Sequence, residues 1–153
     1  MKKPAILFVC LGNICRSPLA EAAMKAEAAR LGLDVEIESA GTGDWHVGHA
    51  PDERAQATAF RHGIDISGYR GRQVKPADFG HFTQIVALDA NNLTDLKKLA
   101  PKDGTAKLSL LLDQAGRSSQ SVADPYYGDD AGFETTWAEV SAGTAGLANT
   151  LAF

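Results

Sequence analysis

Apolar side chains run without a break from Ala5 to Cys10, and the chain turns polar within two residues of that run. Such a run fits a strand covered on both faces. Ser17 and Pro18 then read as a helix N-cap and first helical position. Leu19, Ala22, Ala23, Ala26 and Ala29 fall on one face of the helix that this pair opens, as far as Gly32. Residues 35–41, VEIESAG, alternate and predict a strand with one more polar face. A glycine-rich loop covers 41–53, and a helix is expected over 51–62, ended by Gly63. Residues 65–82 are turn-rich and show no clear period. QIVALD, 84–89, predicts a second central strand, and 91–99 a short helix stopped before Pro101. AKLSLLL, 106–112, predicts the last strand, and 123–133 a loop. Phe133, Trp137, Val140, Thr144, Leu147 and Leu151 recur every three or four residues, which predicts a final amphipathic helix with Trp137 in its core stripe.

Strands separated by helices imply an α/β fold, a doubly wound parallel sheet with helices on both faces. In such sheets ligands sit beyond the carboxyl ends of the strands. Cys10 ends the first strand, so the stretch that follows it falls where a site is expected. The 153 residues suit one domain, 1–153, and no repeat or linker divides them. A net charge of −4 with no basic run speaks against nucleic-acid binding. The apolar run near the start is too short for a membrane span and reads as a strand rather than a secretory signal. Two cysteines make no disulfide framework, which suits a reducing cytoplasm.

The stretch VCLGNICRSPLAEA, 9–22, carries the chemistry. A turn between strand and helix exposes backbone N–H groups, and these with the helix dipole attract anions, phosphate above all. Gly12 permits a tight or positive-φ backbone, and Asn13 tolerates the left-handed region. Arg16 adds a planar donor suited to two phosphate oxygens. The same field suits a sulfur nucleophile at Cys10. A lone cysteine ending an apolar strand is most often a small core residue. Cysteine, five residues, arginine and a capping serine at one strand–helix junction favour nucleophilic phosphate chemistry instead. A nucleotide P-loop lacks its glycine-lysine-serine ending here, and zinc lacks a second ligand pair at the usual spacing.

VCLGNICRSPLAEA resembles the signature of the low-molecular-weight protein tyrosine phosphatases. DPYYGDDAGFE, 124–134, is similar to that family's general-acid loop. SAGTGDWHVGHAPDERA, GRQVKPADF and ALDANNL are similar to family segments between them. The resemblance implies a four-stranded sheet in the order 2-1-3-4 and hydrolysis of phosphotyrosine and aryl phosphates with no cofactor and no metal. Cys10 would be the nucleophile that forms a cysteinyl-phosphate. Arg16 and the amides of Leu11, Gly12, Asn13, Ile14, Cys15, Arg16 and Ser17 would hold the equatorial oxygens. Asp124 would be the general acid and then the base for water. Spacing alone weighs Asp124 equally as an ordinary turn residue, with Asp129 and Asp130 as rivals; the resemblance favours Asp124, held extended by Pro125.

Ser17 would assist sulfur as leaving group besides capping the helix. Asn13 and Ser39 resemble positions that brace the loop, although Ser39 also reads as a strand-end turn former. Cys15 resembles a partner for a reversible disulfide with Cys10 and reads equally as a buried inert thiol. Trp45, Tyr126 and Tyr127, with His46 and Leu11 nearby, resemble the walls of a slot deep enough for a phenyl phosphate and too deep for phosphoserine. Tyr69 stands where the family often has a histidine that braces the loop through asparagine. Its hydroxyl would replace that histidine, or the brace would be weaker. The implied partner is a phosphotyrosine-bearing protein, with a bacterial tyrosine kinase as a candidate, acted on by a monomer. A thioredoxin-coupled arsenate reductase on the same fold would need later cysteines, and none follows Cys15. A non-catalytic phosphate-binding module would have no need of Cys10 and Asp124 together.

Overall fold

A computed structural model describes residues 3–117 and 120–152. Four parallel strands form one sheet in the order β2-β1-β3-β4: β1 is Ala5–Cys10, β2 Glu36–Gly41, β3 Gln84–Ala87 and β4 Lys107–Leu110. The helices are α1 (Arg16–Leu31), α2 (Glu53–Arg61), α3 (Asp78–His81), α4 (Ala90–Leu99) and α5 (Asp130–Ala152).

Every residue of β1 is buried, as its unbroken apolar run requires. Alternation sends Ile6, Phe8 and Cys10 into one core cluster with α1 and α5. Ala5, Leu7 and Val9 enter a second cluster with Phe79, Phe82, Leu96 and Leu110 on the opposite face. The doubly wound architecture and the strand order agree with the sequence reading.

Four local expectations are corrected. α1 begins at Arg16 with Cys15 at its N-cap, so Ser17 and Pro18 lie inside the first turn rather than at its edge. Pro18 is tolerated there because first-turn amides have no intrahelical partner. Ala26 and Ala29 are exposed, while Ala20, Met24 and Ala28 are buried; the helix turns its packed face toward α5 and β2. The last strand stops at Leu110, and Leu111–Ala115 forms a 3-10 turn. That turn lies directly on α5 where the helix has only glycine: a Cβ on Gly143 would overlap Leu111, and one on Gly146 would overlap the Gln114 carbonyl. α5 starts three residues earlier than its apolar stripe, because Asp129 Oδ1 accepts from the Gly132 amide at 3.1 Å in the manner of a helix cap. Trp137 is half-buried, its ring stacked on His62 at 4.7 Å.

The turn-rich stretch 65–82 acquires a role from its contacts. Gly41 donates its amide to the Arg72 carbonyl and accepts from Val74, both at 2.8 Å, so the segment runs along the carboxyl end of β2. Arg72 is anchored by two hydrogen bonds, at 3.0 and 3.1 Å, to the buried Asp78 carboxylate of α3. This clamp fixes backbone beside the loop that follows β1.

Candidate active site

The carboxyl end of β1, the start of α1 and two loops enclose a hollow of 210 Å3. Cys10, Leu11, Gly12, Ile14, Cys15, Arg16, Trp45, His46, Asp124, Tyr126 and Tyr127 line it. Of the residues singled out from the sequence, Asn13, Ser17 and Ser39 lie behind the loop rather than on the hollow. Asp129 and Asp130 do not line it, so among the three acids of the loop only Asp124 shares it with Cys10.

Cys10 is 3% exposed and forms the floor. The Asn13 amide donates to its sulfur at 3.3 Å, and the Ser17 hydroxyl lies within hydrogen-bond distance of it at 3.0 Å. Asn13 takes the left-handed conformation, φ 57°, that turns its amide inward. Asparagine is among the few side chains that accept it readily. Gly12 is not in positive φ; its missing Cβ instead lets the His46 ring close against the loop.

Arg16 is buried beside the sulfur. Its Nη1 donates to Asp89 Oδ2 at 2.6 Å and to the Val122 carbonyl at 3.1 Å, and its Nη2 faces Asp124 Oδ2 at 3.6 Å. Burial works against the charge, but the Cys10 sulfur and the Asp89 carboxylate outweigh it and hold the guanidinium above its ordinary range. Asp89 is also the cap of α4, accepting from the Asn92 amide at 2.7 Å, so one carboxylate fixes both the helix and the arginine. Cys15 is a free thiol, 5% exposed. Burial, then the nearby Asp52, pushes it far above the usual thiol range.

Asp124 is exposed and accepts from the Tyr126 amide at 3.1 Å, which pins its carboxyl over the hollow. Its loop is held by Arg54, a residue that sequence reasoning missed. Arg54 donates to the carbonyls of Tyr126 at 2.8 Å and Gly128 at 3.1 Å, and its plane covers the Phe133 ring at 4.7 Å. Asp52, the cap of α2, braces Arg54 from behind. Tyr126 and Tyr127 meet edge to face at 4.9 Å, with Tyr127 almost fully exposed at the mouth. No group of three or more histidine, cysteine or acidic side chains suited to a metal occurs among the described residues.

Behind the loop runs a directed chain of hydrogen bonds. Asn13 Nδ2 donates to Ser17 Oγ at 2.8 Å and to Ser39 Oγ at 3.0 Å, while its Oδ1 accepts from the Arg72 amide. Ser39 donates to Glu21 Oε1 at 2.7 Å, and Lys25 donates to Glu21 Oε2 at 2.7 Å. An amide has two hydrogens and a hydroxyl one. With Ser39's proton committed to Glu21, Ser39 can only accept from Asn13. Asn13 then supplies Ser17 as well, and Ser17's own hydrogen is left for the sulfur at 3.0 Å, with the Ala40 carbonyl farther off at 3.5 Å. The buried Glu21 therefore sets the polarity of the whole chain. Tyr69 does not reach Asn13; its hydroxyl meets Lys25 at 3.4 Å, and its ring lies under that ammonium at 4.6 Å. The brace expected of Tyr69 is thus made by Ser39, Glu21 and the Arg72 backbone. Glu21→Gln is expected to lower kcat on an aryl phosphate about ten-fold, with KM nearly unchanged, and to cost about 1–3 kcal/mol of stability for a buried hydrogen bond to a charge. Steady-state kinetics beside a denaturant titration check this; an unaltered kcat would show that Glu21 serves folding alone.

Fold and hollow together define a phosphate-handling α/β enzyme, in which a strand-to-helix turn surrounds a cysteine and an arginine. Residues 5–152 match the family model described as low molecular weight phosphotyrosine protein phosphatase. A Drosophila melanogaster low molecular weight phosphotyrosine protein phosphatase is 46% identical over 145 residues, covering 92% of this chain and 87% of its own. The solved structure of YfkJ from Bacillus subtilis superposes with a TM-score of 0.90 at 38% identity, over 99% of this chain and 96% of that one. A solved Drosophila arginine phosphatase superposes equally, TM-score 0.90 at 32% identity, over 95% and 96% of the two chains. The chain belongs to the low-molecular-weight phosphotyrosine protein phosphatase family, and its activity is of that class. No helix among the described residues is long and apolar enough to cross a membrane.

Proposed function

We propose that the chain hydrolyses protein phosphotyrosine by way of a cysteinyl-phosphate on Cys10, without a metal ion. The observation that carries this reading is that Cys10, Arg16 and Asp124 line one hollow. The sulfur attacks phosphorus in line as the aryl oxygen departs. Arg16 and the loop amides hold the three equatorial oxygens, whose charge is spread in a loose transition state. Asp124 delivers its proton to the departing phenolate, so the phenol leaves neutral. The carboxylate then takes a proton from water as the water oxygen attacks phosphorus, and the Cys10–phosphorus bond breaks to give inorganic phosphate. The Ser17 hydroxyl, 3.0 Å from the sulfur, stabilises it as leaving group. The chain's own guanidinium and amides supply the charge neutralisation that a metal would otherwise bring. Aromatic walls from Trp45 and Tyr126 suit a flat phenyl ring.

Acid quenching during turnover of a phosphotyrosyl peptide, in excess chelator, tests the reading. Mass spectrometry is expected to find one phosphate on the peptide that contains Cys10. Phosphoserine and phosphoarginine peptides serve as comparators and are expected to turn over at least about 100-fold more slowly. Turnover that stops in chelator, or that leaves Cys10 unmodified, would overturn it.

A further inference from the structure

A second hollow, of 310 Å3, lies beside the first and is lined by Leu11, Thr42, Gly43, Trp45, Asp95, Lys98 and Leu99. Leu11 and Trp45 line both. The indole of Trp45 is seated on Gly43, where any Cβ would strike the ring, so the two hollows share a wall held in position by a missing side chain. Leu11, Trp45 and Leu99 are large apolar residues 44%, 66% and 48% exposed. Isolated apolar residues on a surface need no explanation, but three around one concavity do. Gln73 Nε2 donates to the Thr42 carbonyl at 3.1 Å on one edge of this hollow. Asp95 and Lys98 give it a polar margin of both signs.

We propose that this hollow binds an aliphatic side chain, of the size of leucine or methionine, two residues from the phosphotyrosine of the substrate protein. The inference rests on the proposed hydrolysis of protein phosphotyrosine. A phosphotyrosine that enters the slot necessarily brings its neighbours to the rim. In an extended peptide, side chains alternate, so the next one on the same side belongs to the second residue along, about 7 Å away. The wall that separates the hollows is the Trp45 indole with Leu11 beside it, and a peptide draped over it drops one side chain on either side. Substrate selection then has two parts: the aromatic slot recognises the phosphorylated ring, and the Leu99 hollow recognises its sequence context.

Kinetics on a peptide series tests this, with leucine or alanine two positions before or after phosphotyrosine. For one of the two placements, leucine is expected to raise kcat/KM about ten-fold over alanine, the scale of a few buried methylenes. Leu99→Asp should remove that advantage while leaving the alanine peptides and 4-nitrophenyl phosphate unaffected, and the small substrate reports that the variant is folded. Equal kcat/KM for leucine and alanine at both placements would overturn the subsite, as would a leucine advantage that survives Leu99→Asp. If no phosphotyrosyl peptide is hydrolysed at all, the proposed activity has failed rather than the subsite.

Discussion

Cys10→Ser is expected to lower turnover of an aryl phosphate by about 10^5-fold or more, the scale on which loss of a covalent nucleophile acts. The variant should keep its fold and its affinity for phosphate. A serine hydroxyl fits the volume of the buried thiol, and the Asn13 amide and Ser17 hydroxyl that reach the sulfur at 3.3 and 3.0 Å can as well donate to oxygen. Arg16, which supplies the charge, is untouched. A neutral hydroxyl beside no general base is a poor nucleophile, so binding without chemistry should result. Calorimetric titration with a phosphotyrosyl peptide beside a colour assay separates the two quantities. Residual turnover near 1% of the parent rate would show that some other group attacks phosphorus.

Asp124→Ala has the second-largest expected effect, and its size should depend on the substrate. With phenyl phosphate, whose leaving group is a strong base, the loss should be about 10^2–10^4-fold, the usual contribution of a general acid. With 4-nitrophenyl phosphate, whose phenolate leaves readily unprotonated, less than about ten-fold is expected in the step that forms the intermediate. Asp129→Ala and Asp130→Ala lie outside the hollow and should leave both rates unchanged. A plot of rate against leaving-group acidity makes the comparison, and a slope no steeper for Asp124→Ala than for the parent would assign the proton to another residue.

The parts of this protein that were legible in its sequence are those whose physics is local. β1 is an unbroken apolar run because both of its faces are buried. The anion loop is legible because cysteine, arginine and a helix start fall within eight residues. Asp124 was no more distinguishable than Asp129 or Asp130 by spacing; only the family resemblance singled it out, because its position depends on contacts of its loop with Arg54 and Arg16, distant in the chain. Glu21 was missed altogether. With Lys25 four residues on, it reads as an ordinary surface pair on a helix. Its burial depends on β2 and the 65–82 segment, which no local pattern discloses. The one available sign was a carboxylate amid Leu19, Ala22 and Ala23 on a face otherwise apolar. Arg54 escaped for a similar reason: the carbonyls it holds are more than seventy residues distant in the chain. The turn-rich stretch has no period because its work is to present the Arg72 amide to Asn13 and the Arg72 carbonyl to Gly41.

Cys10 and Arg16 hang from buried elements, whereas Trp45, Tyr126 and Tyr127 stand on exposed loops, the last two beside Asp124. Mutations in those loops can therefore be sampled with little risk to the scaffold. Descendants of this chain could trade one phosphoprotein clientele for another while inheriting the same reaction intact, and the drift would be visible first at the mouth, last at the floor.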